Sequence, residues 1–586
     1  MERSTQSGEG RSRARTALFT LLAIAFPFLL LALVEGALRL GGYGRDLEPL
    51  FIEAPGRSDY RQANPKVVER FFADPSAAPN VSIETAYFKA AKSPGTFRVV
   101  VQGASSAAGF PYGLGASLAG MLEQRLRRSY PDREIEVIST AMAAVNTYAL
   151  VDFAEEILAE QPDAIVIYVG HNEYLGILGV GSTLRFASSP WVTRAVLAVR
   201  ELRLFQLMHA AFTSPPQRPA GTTAADTLMA TVAGERSIPI DSTLYERGVE
   251  QYRHNLAKLL GIYEQAGVPV FIGTVASNES DQPPFSGDAA HAEFAKGQRK
   301  DEAGQYLEAR AAYLAAKDLD ELRFRAPEVF NAVVREQAGR HGATLVDAQS
   351  ALALHSEHGI IGAGLMLEHV HPNLDGYFWL ADAYYDAVVA SGLLGEPSVA
   401  IDEVTARTEV PVSAIDYWLG EYKVMRIRNA WPFRERSIAT ELPAPRSEGE
   451  RLAQQLYRQQ INWPQAQDAL RRYAESQGDE AEYVRTTQIL ADAFPFVPTL
   501  QFDAARALIA VDRPRDALRY GRRAIEIAPR DLNSLLVHAH AAALSARPDE
   551  AIGSLERALD VDPGNETARK ALEQLRAPGA APAPPP

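Results

Sequence analysis

From Phe97 onward the chain alternates short runs rich in Val and Ile with stretches of helical periodicity, and no other feature narrows the possible folds as much. "FRVVVQG" (97–103), "EIEVIST" (134–140), "DAIVIYVG" (163–170), "VPVFIGTV" (268–275) and "ATLVDA" (343–348) read as five short strands flanked by turn residues. Between the first three lie "LAGMLEQRLRRSY" and "YALVDFAEEILAEQ". In the latter, Leu150, Phe153, Ile157 and Leu158 share one helical face. Such alternation predicts a parallel sheet with helices on both faces. Functional residues are then expected at the carboxyl ends of the strands.

The C-terminal part obeys a different rule. Ala517, Ala524 and Pro529 recur as Ala551, Ala558 and Pro563, each 34 residues later; Pro514 and Pro548, and Leu518 and Ile552, share the offset. A 34-residue period with small residues at helix crossings is the signature of tetratricopeptide repeats. A degenerate earlier copy ends near Pro495, so an all-α repeat domain is expected over 451–577, after a linker over 396–450. The Pro/Ala tail, 578–586, is expected to be disordered. Ala309, Tyr313 and Ala316 repeat the spacing of Ala517, Gly521 and Ala524. They mark either a solitary repeat inserted over 288–326 or an ordinary amphipathic helix.

At the N-terminus, Arg11, Arg13 and Arg15 precede an uncharged run that ends at Glu35. Ala17 to Val34 is 18 residues, about 27 Å of helix, enough to cross a bilayer. The basic side is expected to stay in the cytoplasm. That gives a cytoplasmic segment 1–16, a transmembrane signal anchor 17–38 and a neck over 39–95, with the bulk of the chain outside. A cleaved signal peptide is the rival, but the run exceeds most h-regions and no clean A-x-A site follows it. The chain has no cysteine, which excludes disulfides, zinc ribbons and thiol catalysis. Its net charge is −14, with no dense Lys/Arg run beyond the first sixteen residues, which argues against nucleic acid as a partner.

Chemistry is expected first at "GASSAAG" (103–109), where the first strand ends. A phosphate cradle needs G-x-G-x-x-G, but in "GLGASLAG" Leu118 stands where the third glycine belongs, and no G-x-x-x-x-G-K-[ST] occurs. A nucleophile elbow needs G-x-S-x-G, and the chain has Gly103, Ala104, Ser105, Ser106, Ala107. A third pattern fits. "GASSAAG" resembles the first block of the SGNH, or GDSL-like, hydrolases, in which the serine follows strand one in a G-x-S-x-x-x-G setting. Three later stretches resemble the other blocks: Ala144 in "STAMAAVNTYAL", Gly170, Asn172 and Glu173 in "VGHNE", and Glu368, His371, Pro372 and Gly376 in "LEHVHPNLDGY". The four blocks span about residues 95 to 390.

The resemblance implies a three-layer α/β/α, flavodoxin-like domain over 96–395 and a role for each residue. Ser105 would be the nucleophile, His371 its base and Glu368 the carboxylate that orients the imidazole. Asn172 and the N–H groups of Ser105 and Ala144 would form the oxyanion hole. Three positions depart from the family pattern: Ala104 for an acidic residue, Ala144 for glycine and Glu368 for aspartate. Other readings of the same residues stay open. Ser106 is an alternative nucleophile, Asn172 an ordinary turn cap, and Met142 and Tyr148 packing residues; His171 has no evident role. His369 and His371 with Glu368 or Asp375 would make a short metal cluster, though it lacks an obvious further ligand.

The expectation is therefore a single-pass protein of a bacterial inner membrane with its bulk in the periplasm. It would be a serine hydrolase acting on acyl esters of envelope glycans or lipids, with no cofactor and no metal, and a protein or peptide partner on its repeats. A catalytically weak or inactive scaffold and an O-acyltransferase are the alternatives.

Overall fold

The structure, a computed structural model, describes residues 6–72, 74–84, 86–185, 189–212, 228–433 and 442–577. The tail 578–586 and the first five residues of the expected cytoplasmic segment lie outside them. Helix α1 (Gln6–Leu40) carries a stretch, Thr16–Leu40, with mean hydropathy 2.7 over its best window. It is the one helix among the described residues long and apolar enough to cross a membrane. Its large apolar side chains, from Leu18 to Leu33, are exposed.

Strands β1 (Phe51–Ala54), β2 (Arg57–Ala63) and β3 (Phe88–Lys89) form a small antiparallel sheet. Phe51 and Phe88 meet edge to face at 5.1 Å and join the main core. The main sheet consists of β4 (Phe97–Gly103), β5 (Ile135–Ser139), β6 (Ala164–Tyr168), β7 (Val270–Gly273) and β8 (Thr344–Val346), in the order β5-β4-β6-β7-β8, all parallel. Counted along the chain this is the 2-1-3-4-5 order of a flavodoxin-like sheet, whose switch point lies between the first and third strands, β4 and β6. Strands β4 and β6 are buried throughout, because helices cover both faces.

The chain next forms α2 (Leu118–Ser129), α3 (Thr147–Ala159), α4 (Pro190–Val199), α5 (Arg203–Phe212), α6 (Leu228–Val232) and α7 (Thr243–Gln265). After β7 come α8 (Asp288–Glu302), α9 (Tyr306–Leu319) and α10 (Glu328–Arg340); after β8 come α11 (Ala348–Leu354) and α12 (Leu374–Ala390). Helices α2 and α12 pack together, and α7 packs between α3 and α10. Leu118, Leu122 and Leu126 of α2 are buried at helical spacing, as are Tyr252, Leu256, Leu259 and Tyr263 of α7. Side chains start these helices where the strands release the chain. Ser117 Oγ accepts from Gly120 N at 2.9 Å, Asn146 Oδ1 from Tyr148 N at 3.1 Å and Asn373 Oδ1 from Gly376 N at 2.9 Å. Between β7 and β8, α8 and α9 form a hairpin in which Ala309, Tyr313 and Ala316 are buried with Phe294. A Cβ on Gly297 would stand 2.6 Å from the Tyr313 ring.

Residues 396–450, expected to be a linker, carry α13 (Glu403–Thr408), α14 (Ala414–Arg428) and the start of α15 (Glu448–Tyr457). Ile415 and Tyr422 of α14 pack with Leu452 and Ala453 of α15 and with Ala466 and Leu470 of α16 (Trp463–Gln477), so the helical stack reaches back to Ala414. These contacts use large side chains that the 34-residue pattern does not include. Beyond them lie α17 (Glu480–Ala493), α18 (Pro498–Ala510), α19 (Pro514–Ile527), α20 (Leu532–Leu544), α21 (Pro548–Val561) and α22 (Glu566–Arg576). Helices α17, α19 and α21 begin and end 34 residues apart, and so do α18 and α20. Left-handed residues recur at the same offset in the turns before them: Gly478, Asp512 and Ala546, with φ of 68°, 57° and 57°. The stack rests on the sheet domain through ion pairs that include Arg127–Asp492 (3.6 Å), Arg523–Glu134 (3.4 Å) and Arg547–Asp132.

Candidate active site

Close backbone approaches shape the turn after β4. A Cβ on Gly103 would lie 2.4 Å from Ala107 Cβ and 2.5 Å from Tyr168 O, so only glycine lets β4 end against β6 here. Gly109, at φ 80°, would clash with Gly113 O at 2.4 Å and Ser117 N at 2.5 Å. Between the two glycines, Ala104 O accepts from Ala107 N (3.0 Å) and Ala108 N (2.9 Å), and the tight turn presents Ser105 partly exposed at the carboxyl end of the strands. Ser106 points inward, and its Oγ donates to Val370 O at 3.0 Å.

Val370 lies between the two histidines of the loop before α12. Leu367 N donates to His371 O at 2.8 Å, and Asn373 N to Leu365 O at 2.9 Å, which closes this loop on itself. The imidazole of His371 has Nε2 at 2.8 Å from Ser105 Oγ and Nδ1 against Glu368 Oε1. Since an ionised carboxylate only accepts, Nδ1 carries the proton and Nε2 is free to receive one. Glu368 Oε1 also accepts from His371 N at 3.1 Å, and its other oxygen meets Nδ1 of His369. Burial pushes His371 down to about 3 and lowers His369 as well, favouring neutral rings. The facing carboxylate acts in the opposite direction and stabilises an imidazolium once the proton arrives.

The turn after β5 and the turn after β6 are joined. Ile177 N donates to Ala144 O at 2.7 Å and Gly176 N to Asn172 O at 2.7 Å; a Cβ on Gly176 would stand 2.6 Å from both carbonyl oxygens. Ala144 adopts φ 62°, the left-handed region that favours glycine. Glu173 is fully buried and ties the two turns to α7: it accepts from Thr147 N (3.1 Å), Thr147 Oγ1 (2.7 Å) and Gln251 Nε2 (2.7 Å). Burial raises its carboxyl to about 7. Beside it, the buried Nδ2 of Asn172 has no hydrogen-bond partner among the described residues. An unpaired buried amide is costly, and functional sites are among the places where one is kept. Asn146, not Asn172, caps α3.

His171 is structural. Its Nδ1 accepts from Ala326 N at 3.2 Å and its Nε2 donates to Ala276 O at 3.1 Å, which fixes the neutral tautomer; burial takes it down to about 3. Met142 is buried in the main core, and the Tyr148 hydroxyl donates to Pro190 O at 3.1 Å. Asp375 lies away from the histidines, paired with Arg407. Glu368, His369 and His371 bring their ligand atoms within 4.8 Å of one another and are the residues able to hold a cation here. Both Nδ1 atoms already face the Glu368 carboxylate.

An aromatic wall completes the site. The Phe110 ring lies 4.7 Å from that of His371, and Phe285 and Phe433 lie 5.6 Å and 5.3 Å from that of His369. Phe433 comes from the supposed linker and carried no signal in the sequence, since its neighbours are distant in the chain. A hydroxyl beside an imidazole whose other nitrogen faces a carboxylate is the arrangement that makes serine nucleophilic.

No protein-family model and no curated protein matches the chain. Among solved structures, it is similar over 50% of its length to a putative lipolytic protein of the G-D-S-L family from Desulfitobacterium hafniense, with 12% identity, 98% of that chain covered and a TM-score of 0.26. It is similar over 52% to a catalytic mutant of an acetylxylan esterase from Geobacillus stearothermophilus, with 14% identity, 97% of that chain covered and a TM-score of 0.28. Over 19% it is similar to the first TPR of Spaghetti bound to an HSP90 peptide, with 20% identity, 89% of that chain covered and a TM-score of 0.18.

Proposed function

We propose that the protein is a serine ester hydrolase working through an acyl-Ser105 intermediate. The observation that carries this proposal is the contact of 2.8 Å between His371 Nε2 and Ser105 Oγ, with Glu368 on the opposite ring nitrogen. As Ser105 Oγ bonds to the ester carbonyl carbon, His371 Nε2 takes its proton and the carbonyl electron pair moves onto oxygen. Asn172 Nδ2 and the N–H groups of Ser105 and Ala144 receive that oxyanion. The intermediate collapses, the imidazolium gives its proton to the departing alkoxide, and acyl-Ser105 remains. Water repeats the sequence, releasing the carboxylic acid and restoring the hydroxyl. Glu368 holds the ring in the required tautomer throughout, and His369 braces Glu368.

The substrates are carboxylic esters, acetyl or longer, on glycans or lipids of a bacterial envelope. Thr16–Leu40 anchors the chain in the inner membrane with the catalytic domain on the periplasmic side. The repeats take a protein or peptide partner. If a sugar hydroxyl replaces water at the acyl-enzyme, the same residues perform acyl transfer.

Hydrolysis of p-nitrophenyl acetate by the full chain in detergent, abolished in Ser105→Ala with the fold intact, is the test. Equal rates in the two proteins would return the chain to a scaffold role.

A further inference from the structure

We propose that helices α4 and α5 seat on the outer lipid surface around the exit of α1, making a second, interfacial membrane contact. This rests on Thr16–Leu40 being a transmembrane span. Glu35, which ends the apolar run, accepts from the first two N–H groups of α5, Arg203 at 3.0 Å and Leu204 at 2.9 Å. Arg39 Nη2 donates to Glu201 O at 3.1 Å. The start of α5 is thereby pinned to the last turns of α1, beside the exit. Gln206 then clasps the backbone of Arg45, donating to its carbonyl at 3.0 Å and accepting from its N–H at 2.9 Å.

The segment keeps Thr193, Arg200 and Arg203 buried and Leu197 against the core, and turns other apolar side chains outward. Trp191 is 67% exposed, Met208 52%, Leu202 42% and Leu207 37%; at the exit itself Leu40 is 93% exposed and Tyr43 37%. Exposed apolar residues elsewhere, such as Leu307, Leu354 and Val404, stand on separate elements. Isolated exposure is normal for a soluble surface, whereas a cluster marks an interaction site. Continuity with α1 identifies the occupant as the bilayer, and Trp and Tyr beside leucines suit the headgroup boundary. The segment follows the turn that bears Asn172, and Tyr148 in the first turn of α3 donates to Pro190 O at the start of α4. The lipid contact is therefore one hydrogen bond from the helix that begins beside Ala144.

The chain lacks cysteine, so a single introduced thiol is a unique reporter. An environment-sensitive dye is placed on Leu207→Cys, Met208→Cys, Leu307→Cys or Leu30→Cys in the full chain, reconstituted in phosphatidylcholine vesicles. Lipids spin-labelled near the headgroup or deep in the acyl chain serve as quenchers. The dyes at 207 and 208 should shift to the blue and lose more than half their emission to the shallow quencher. The dye at 307 should be unaffected and that at 30 quenched by the deep label. If 207 and 208 behave like 307 while 30 is quenched, α1 spans but α5 stands off the bilayer, and the proposal is wrong. If 30 is also unquenched, the span itself fails and the proposal with it.

Discussion

Ser106 Oγ donates to Val370 O at 3.0 Å, and the two bonded residues are the immediate neighbours of Ser105 and His371. One hydrogen bond between parts of the chain 264 residues apart thus ties the serine turn to the histidine loop. In Ser106→Ala the contact is lost and a buried carbonyl is left unpaired, a cost of about 1–3 kcal/mol. The expected result is a lower urea midpoint and a kcat reduced by about tenfold, with KM little changed, read by denaturation and steady-state kinetics.

The buried amide nitrogen of Asn172 has no hydrogen-bond partner among the described residues. Removing one oxyanion donor typically costs about 10²–10³ in kcat. Asn172→Ala should lose activity by that factor while its melting temperature stays level or rises, because an unpaired polar group leaves the interior. A fall in both quantities would instead assign Asn172 a structural role.

Ala144 sits at φ 62°, where a Cβ costs about 1–2 kcal/mol relative to the right-handed region. Ala144→Gly should therefore stabilise the protein by about 1 kcal/mol, against the usual loss on introducing glycine. A rise in urea midpoint, with activity retained because the N–H is unchanged, is the expected measurement.

The pH dependence follows from the histidines. Burial takes His371 down to about 3 from 6.5, so the ring stays neutral; if it is the base, as proposed, the rate should hold level as pH falls through 6.5 and decline only well below it. Stability moves the other way. His171 is also lowered to about 3, so between pH 6.5 and that value the unfolded chain takes up a proton that the native state refuses. Its contribution is fully present above pH 6.5 and is lost on acidification at about 1.4 kcal/mol per pH unit. Urea midpoints across this window should fall in the native protein and fall less steeply in His171→Gln.

Much of this was legible because close approach forces small residues. Gly103, Gly109 and Gly376 sit where a Cβ would strike backbone, and Ala517, Ala524, Ala551 and Ala558 are fully buried in the repeats. Such positions mark strand ends and helix crossings without reference to what lies opposite. Long-range side-chain contacts leave no such trace. Phe433 against His369, Tyr422 of α14 against the repeats and the second contact of Glu368 with His369 each depend on segments far apart in sequence or on loop geometry. At Ala144 the residue type showed an added methyl group, while its left-handed backbone, which explains why glycine suits that turn, emerged only from the dihedral angle.

The most direct measurement is covalent. The full chain in detergent, dialysed against a chelator, is treated with a fluorophosphonate and the modified peptide is located by mass spectrometry. Label on Ser105, absent in His371→Ala and strongly reduced in Glu368→Gln, is the expected result. Label on Ser106, or reactivity at Ser105 only after zinc is restored to the Glu368, His369 and His371 cluster, would contradict a metal-independent Ser105–His371–Glu368 mechanism.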